Sequence, residues 1–297
     1  MDERFKGLGV ALVTPFRNND SIDYVGLERV IEHQLSGGVD YLVVMGTTGE
    51  SVTLKAEEKK QLLGQVLEVV HHRVPIVLGV GGNNTAEVIH HLGSYDLSGV
   101  DGILSVSPYY NKPNQEGIYQ HYKAIAQASL LPIILYNVPG RTGSNMSAET
   151  TLRLARDFEN IVAVKEASAN LDQIGLILKH RPTDFLVISG DDALTLPIIA
   201  MGGDGVISVV GNALPEESAT LVHAAMKGDF ATARAEHYKL IELITLLFVD
   251  GSPGGIKEVL SILGLCGKHL RLPLANVNES VAKRIYAAMA DAEVVKL

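Results

Sequence analysis

Short, nearly unbroken apolar runs recur along the chain, each followed by a loop rich in Gly, Pro, Asn or Ser and then by a segment of helical period. Eight such runs predict strands, at residues 9–13, 41–45, 75–80, 102–106, 132–136, 161–165, 185–189 and 205–209. They do not alternate apolar with polar, the pattern of parallel strands covered on both faces. Between them, residues 24–35 place Val25, Val30, Ile31 and Leu35 on one helical stripe, with Glu28, Arg29 and Glu32 elsewhere. Ala56–Val70 sets Leu62, Leu63, Val66, Val69 and Val70 against Glu57, Lys59, Lys60 and Glu68. Residues 147–158 open on Ser147, whose hydroxyl is suited to cap a helix.

Strands alternating with helices predict an α/β fold, either a closed (β/α)8 barrel or a doubly wound sheet. The even spacing favours the barrel, as does the lack of a G-x-G-x-x-G fingerprint after the first strand. The nearest glycine cluster, Gly79, Gly81 and Gly82, does not match it. Past the eighth run the alternation stops, and 216–226, 230–248, 256–263 and 279–289 all read as helix. One of these completes the barrel. The expected division is therefore a catalytic (β/α)8 TIM barrel over residues 1–227 and a C-terminal helical region over 228–297.

Composition narrows the partners. With 297 residues, 46% hydrophobic and a net charge of −9, the chain suits one large α/β domain or two modest ones, and its acidity argues against nucleic acid. Aromatic residues are only 5% and Trp is absent, so no aromatic sugar or base platform is expected. Cys266 is the only cysteine, which fits a reducing, cytoplasmic location. The charged start and the short apolar run after it lack a signal-peptide layout, and no run has the length of a membrane span. No membrane association is expected.

In a barrel the chemistry sits at the C-terminal strand ends. Lys165 terminates a run that belongs in the barrel wall, where an ammonium loses hydration. Alone, it fits a lysine that snorkels to solvent or pairs with Glu166. It also fits a Schiff-base nucleophile, which needs the neutral amine. An unperturbed lysine, of pKa about 10.4, is only about one-thousandth neutral at pH 7.4, and burial restores most of that factor. Tyr136 ends the preceding strand and either relays protons or serves as a core aromatic. Arg141 lies in the following Pro-Gly loop, as a bidentate carboxylate clamp or a solvated cation. The 46–49 turn offers the Thr47 and Thr48 hydroxyls and free amides to a small carboxylate. Asp191 and Asp192 suit a helix N-cap better than a metal. His71-His72 and His90-His91 are adjacent pairs that cannot share a helix face. Neither H-E-x-x-H nor G-x-S-x-G occurs.

Together these loops resemble the dihydrodipicolinate synthase/N-acetylneuraminate lyase family of barrel aldolases. The resemblance runs along nearly the whole chain and rests on GTTGES at 46–51, SPYYNKP at 107–113, YNVPGRTG at 136–143, VKEAS at 164–168 and SGDDA at 189–193. YNVPGRTG is similar to the synthase branch, its arginine being the distinguishing part. That implies condensation of pyruvate with L-aspartate 4-semialdehyde to 4-hydroxy-tetrahydrodipicolinate, in the diaminopimelate route to lysine, without metal or organic cofactor. By the resemblance Lys165 forms the imine, and Thr47, Tyr110 and Tyr136 form a hydroxyl relay. Thr48 contacts the pyruvate carboxylate, Arg141 binds the semialdehyde carboxylate, and Gly190 and Ile207 line the pocket. The residue matching Tyr110 reaches in from a neighbouring subunit, so the resemblance implies at least a dimer, with a homotetramer built from dimers the expected assembly.

Two departures qualify the match. Lysine-inhibited members carry histidines in the helix after GTTGES, where this chain has Ala56 and Lys59. Ser51, Asn83, Glu87 and Tyr109 of the corresponding effector site are present. Lys59 would repel an effector ammonium, so weak or absent lysine inhibition is expected. The segment Ser252-Pro253-Gly254-Gly255-Ile256-Lys257 also replaces a bulkier, Pro-rich one. The competing functions are another pyruvate aldolase, acting on N-acetylneuraminate or a 2-keto-3-deoxy sugar acid, and an inactive scaffold barrel. Arg141 with Thr47-Thr48 argues against the first, and retention of Lys165 and Tyr136 against the second.

Overall fold

The structure is a computed structural model and describes residues 2–295. From the N-terminus the elements run β1 (Gly7–Ala11), α1 (Tyr24–Ser36), β2 (Tyr41–Val44), α2 (Ala56–Val70), β3 (Ile76–Gly79), α3 (Thr85–Ser94) and β4 (Gly102–Val106). They continue with α4 (Gln115–Ala128), β5 (Ile133–Asn137), the single turn α5 (Pro139–Thr142), α6 (Ala148–Asp157), β6 (Ile161–Glu166) and α7 (Leu171–His180). The last part comprises β7 (Leu186–Ser189), α8 (Thr195–Ala200), β8 (Gly205–Ser208), α9 (Pro215–Met226), α10 (Phe230–Leu246), α11 (Gly254–Ile262) and α12 (Glu279–Asp291). The eight strands close in chain order, with β1 parallel to both β2 and β8. This is the expected (β/α)8 barrel.

Strand pleating explains why the runs are continuously apolar. Tyr41 and Val43 face the barrel interior with Phe5, Leu104, Ile134, Ala163, Leu186 and Ile188. Leu42 and Val44 face the helices with Leu27, Val66, Ile118, Ile174 and Val222. Successive residues bury on opposite faces, and both faces are dry. The same alternation turns Tyr136 inward beside Ala163, and with it Lys165, two residues on from Ala163. Phe5 and Tyr41, edge to face with centroids 6.0 Å apart, fill the N-terminal end. The helix-facing cluster runs without a break into α10, α11 and α12 through Leu240, Val259 and Ile285.

Some boundaries and faces differ from the sequence expectation. The first strand is paired over Gly7–Ala11, not 9–13, because β8 reaches its N-terminal end and pairs Gly7 with Gly205. Val25, expected on the apolar stripe of α1, is 56% exposed. Gln34 takes a buried position instead, and its side-chain amide donates to the Asn212 carbonyl at 2.6 Å. A side chain that satisfies a loop carbonyl can enter the core despite its polarity. Helix α10 ends at Leu246, two residues before the expected stop. Helix α11 starts earlier than expected, at Gly254, after a cis Ser252-Pro253 peptide. A Cβ on Gly255 would lie 2.5 Å from the Leu247 Cα and carbonyl oxygen, so glycine is what lets α11 pack on the end of α10.

Candidate active site

Strand pairing brings the two central residues together. Tyr136 of β5 is the register partner of Lys165 of β6, which in turn pairs with Ile188 of β7. The Lys165 ammonium sits 4.4 Å from the centroid of the Tyr136 ring. Lys165 is only 5% exposed, and burial brings its pKa down to about 8; the Asp192 carboxylate opposes the shift and the Arg141 guanidinium adds to it. A cation over an aromatic face favours the charged form, but desolvation outweighs it here. The amine is therefore substantially neutral in mildly alkaline solution, as nucleophilic attack requires.

Gly190 follows β7 directly beneath this side chain. A Cβ there would stand 3.0 Å from Lys165 Cε and 2.8 Å from Ala167 Cβ. Any other residue would push the lysine aside. Ile207, 1% exposed, belongs to the interior cluster that floors the same end of the barrel.

Tyr136 is 7% exposed, and burial raises its pKa above the ordinary phenol value, with Arg141 and a hydrogen bond to Thr47 pulling the other way. Its phenol is thus a neutral proton donor at physiological pH. Thr47 is exposed and Thr48 buried on the tight turn after β2. Three contacts shape that turn: Gly49 N donates to Gly46 O, Glu50 N to Thr47 O, and Thr14 Oγ1 to Gly49 O at 2.7 Å.

Arg141 projects from α5, exposed, on a turn that Gly143 closes in the left-handed conformation. The loop carrying it is anchored by Asn137, which the sequence analysis did not single out, and by Glu166, which it read only as a possible partner of Lys165. Asn137 Nδ2 donates to Asn145 Oδ1 at 2.8 Å and to Glu166 Oε1 at 3.0 Å, while its Oδ1 accepts from Met146 N. Glu166 also accepts from Ser168 N and Gln173 Nε2. Glu166 is therefore not the ion-pair partner of Lys165; pleating turns it to the opposite face. The signal was present, since Asn137 and Glu166 each directly follow a catalytic candidate and must point outward.

Asp191 and Asp192 separate in role. Asp191 caps the following turn by accepting from Ala193 N at 3.0 Å. Asp192, expected to share that function, is buried and accepts from Val209 N at 2.9 Å and Val210 N at 3.0 Å. Its carboxylate is the anion whose field reaches Lys165.

Tyr110 does not join this group within its own chain. It is 88% exposed on a left-handed backbone turn. Asn83 and Tyr109 do meet, the Asn83 side-chain amide donating to the Tyr109 carbonyl at 3.2 Å. Ser51 begins a short 3-10 turn, and Glu87 lies exposed in the first turn of α3. Lys59 of α2 is half-buried, its pKa lowered by burial. Among the described residues, no helix is long and apolar enough to cross a membrane.

Known proteins resemble this chain along nearly its whole length. A 4-hydroxy-tetrahydrodipicolinate synthase of Parabacteroides distasonis is 55% identical over 92% of each chain. That of Phocaeicola vulgatus is 53% identical over 96% of each. The crystal structure of dihydrodipicolinate synthase from Thermotoga maritima superposes with a TM-score of 0.96 at 39% identity, covering 98% of this chain and all of that one. The profile of the Dihydrodipicolinate synthetase family matches residues 4–292, and the chain belongs to that family.

Proposed function

We propose that the chain condenses pyruvate with L-aspartate 4-semialdehyde to give 4-hydroxy-tetrahydrodipicolinate, as a lyase of the class I aldolase type. The observation that carries the chemistry is Lys165, a buried strand-end amine with its pKa brought down to about 8 beside a buried phenol. The names of the relatives favour this substrate pair over the sugar-acid alternative.

The neutral Lys165 amine adds to the C2 carbonyl of pyruvate. The carbinolamine then loses water to give a protonated imine. That iminium is the electron sink, so a C3 proton leaves and an enamine forms without metal or organic cofactor. Tyr136 hands protons to and from these intermediates through Thr47, with Tyr110 of a neighbouring subunit completing the relay. Enamine C3 attacks the aldehyde carbon, whose oxygen takes up a proton. The semialdehyde's own amine then adds to C2 and displaces Lys165, closing the ring. Thr48 and the amides of its turn hold the pyruvate carboxylate, Arg141 holds the semialdehyde carboxylate, and Gly190 and Ile207 shape the pocket. The role given to Tyr110 calls for at least a dimer, and the resemblance to the family favours a homotetramer built from dimers.

Borohydride reduction in the presence of pyruvate, with peptide mass mapping, tests the proposal. A pyruvyl adduct on Lys165 is expected, and its absence removes the mechanism.

Arg141 gives a second test. Arg141→Leu is expected to lower kcat/KM for aspartate semialdehyde by about 100-fold, the scale of a lost charge-assisted carboxylate contact. Removing its field also raises the Lys165 pKa, so the alkaline rise in kcat/KM for pyruvate should move to higher pH. An unchanged semialdehyde kcat/KM would give that carboxylate to another residue.

A further inference from the structure

The C-terminal helices reach the active-site loop through a buried ionic cluster. Lys257 Nζ of α11 lies 2.5 Å from Glu50 Oε1, and both side chains are fully buried. The same ammonium donates to the His269 carbonyl at 2.9 Å. The other carboxylate oxygen of Glu50 accepts from Arg271 N at 3.1 Å. Arg271 forks onto both oxygens of Glu58 and also donates to the Thr53 carbonyl. Phe16 is flanked by two cations, with Lys257 Nζ and Arg271 Cζ each 4.4 Å from its centroid.

Stability is a poor explanation for such a pair, because desolvating two ions commonly offsets their attraction and apolar replacements are often as stable. The cluster's position is more informative. Glu50 adopts a left-handed backbone with φ of 51°, which is unfavourable for a side-chain-bearing residue and must be held by its surroundings. Its amide closes the turn by donating to the Thr47 carbonyl at 3.1 Å. Thr47 and Thr48 therefore hang on a turn whose last residue is bolted by its carboxylate to α11 and to residue 271.

We infer that Glu50 and Lys257 are positioning residues for the keto acid: their buried pair fixes the 46–51 turn so that Thr47 reaches Tyr136 and Thr48 meets the pyruvate carboxylate. The inference rests on the proposed pyruvate chemistry. Neither residue touches substrate. Loosening the turn weakens binding of the pyruvate carboxylate and lengthens the Thr47–Tyr136 contact, while Lys165 and Tyr136, on rigid strands, keep their own geometry.

The test uses Glu50→Gln, which removes the charge and leaves one acceptor oxygen where Glu50 offers two, and the neutral double variant Glu50→Gln/Lys257→Met, each checked by circular dichroism and thermal melting. The expected result is folded protein whose KM for pyruvate rises roughly tenfold or more and whose kcat also falls, because Thr48 and the proton-relaying Thr47 sit on the same turn and small misplacements carry large penalties. Trapping of pyruvate on Lys165 at subsaturating concentration should slow in proportion. Folded variants with wild-type pyruvate KM and trapping overturn the inference. So does an unfolded double variant beside a folded Glu50→Gln with unchanged KM, which makes the pair purely structural. Absence of any adduct on the wild-type enzyme instead defeats the underlying pyruvate proposal, so the two failures are distinguishable.

Discussion

Lys165→Met is expected to abolish pyruvate trapping, lower kcat by on the order of 10⁴-fold or more, and yet make the protein more stable at pH 7. The loss follows because no other group can form the imine. The gain follows from linkage. Lys165 has a pKa near 8 in the folded protein against a reference value of 10.5. Between those values the unfolded chain binds more protons than the folded one, so wild-type stability rises with pH across that window. Below it the buried ammonium costs about 3 kcal/mol, at about 1.4 kcal/mol per unit of pKa displacement. With 5% exposure, little of this is screened by solvent. Methionine fills similar space without a charge to desolvate. Urea unfolding at pH 7 and pH 10 should show the variant's advantage shrinking as pH rises. A variant less stable than wild type at pH 7 would mean that Lys165 is held by favourable contacts and not destabilised for function.

Tyr136→Phe should reduce kcat by roughly 10²- to 10⁴-fold, the range for a positioned general acid–base group, while changing stability little. The ring stays in the interior cluster and stays under the Lys165 ammonium, so the fold loses only one hydroxyl and its hydrogen bond to Thr47. Burial raises the phenol pKa, which keeps the proton on oxygen until the carbinolamine needs it. Trapping on Lys165 should still occur, but slowly, since proton transfer and not addition becomes limiting. A kcat within tenfold of wild type would show that protons reach the imine by another route.

Parts of the site were legible because they are local. Lys165 and Tyr136 each end an apolar run, and pleating decides which way they face; nothing distant is needed to see that they share a barrel end. Asn137, which follows Tyr136 as Glu166 follows Lys165, is outward-facing by the same pleat, so the bond between them is as local in origin as the inward pair. Glu166 beside Lys165 in sequence suggested an ion pair that the pleat forbids. Asp192 reads with Asp191 as a helix cap, and only the pairing of β8 beside β7, which brings the Val209 and Val210 amides to it, shows otherwise.

The amino-acid order alone determined the strand–loop–helix alternation, hence the barrel, and the strand-end lysine with its neighbouring phenol, because hydrophobic period and residue type act within a few positions. The tertiary structure alone decided which distant charges meet. Glu50 and Lys257 are 207 residues apart, in segments with no shared pattern. Their pairing exists because the chain's last helices fold back over the barrel's C-terminal end. Likewise, the depressed pKa of Lys165 comes from barrel closure, which removes water from an amine that in an open strand would stay hydrated and charged.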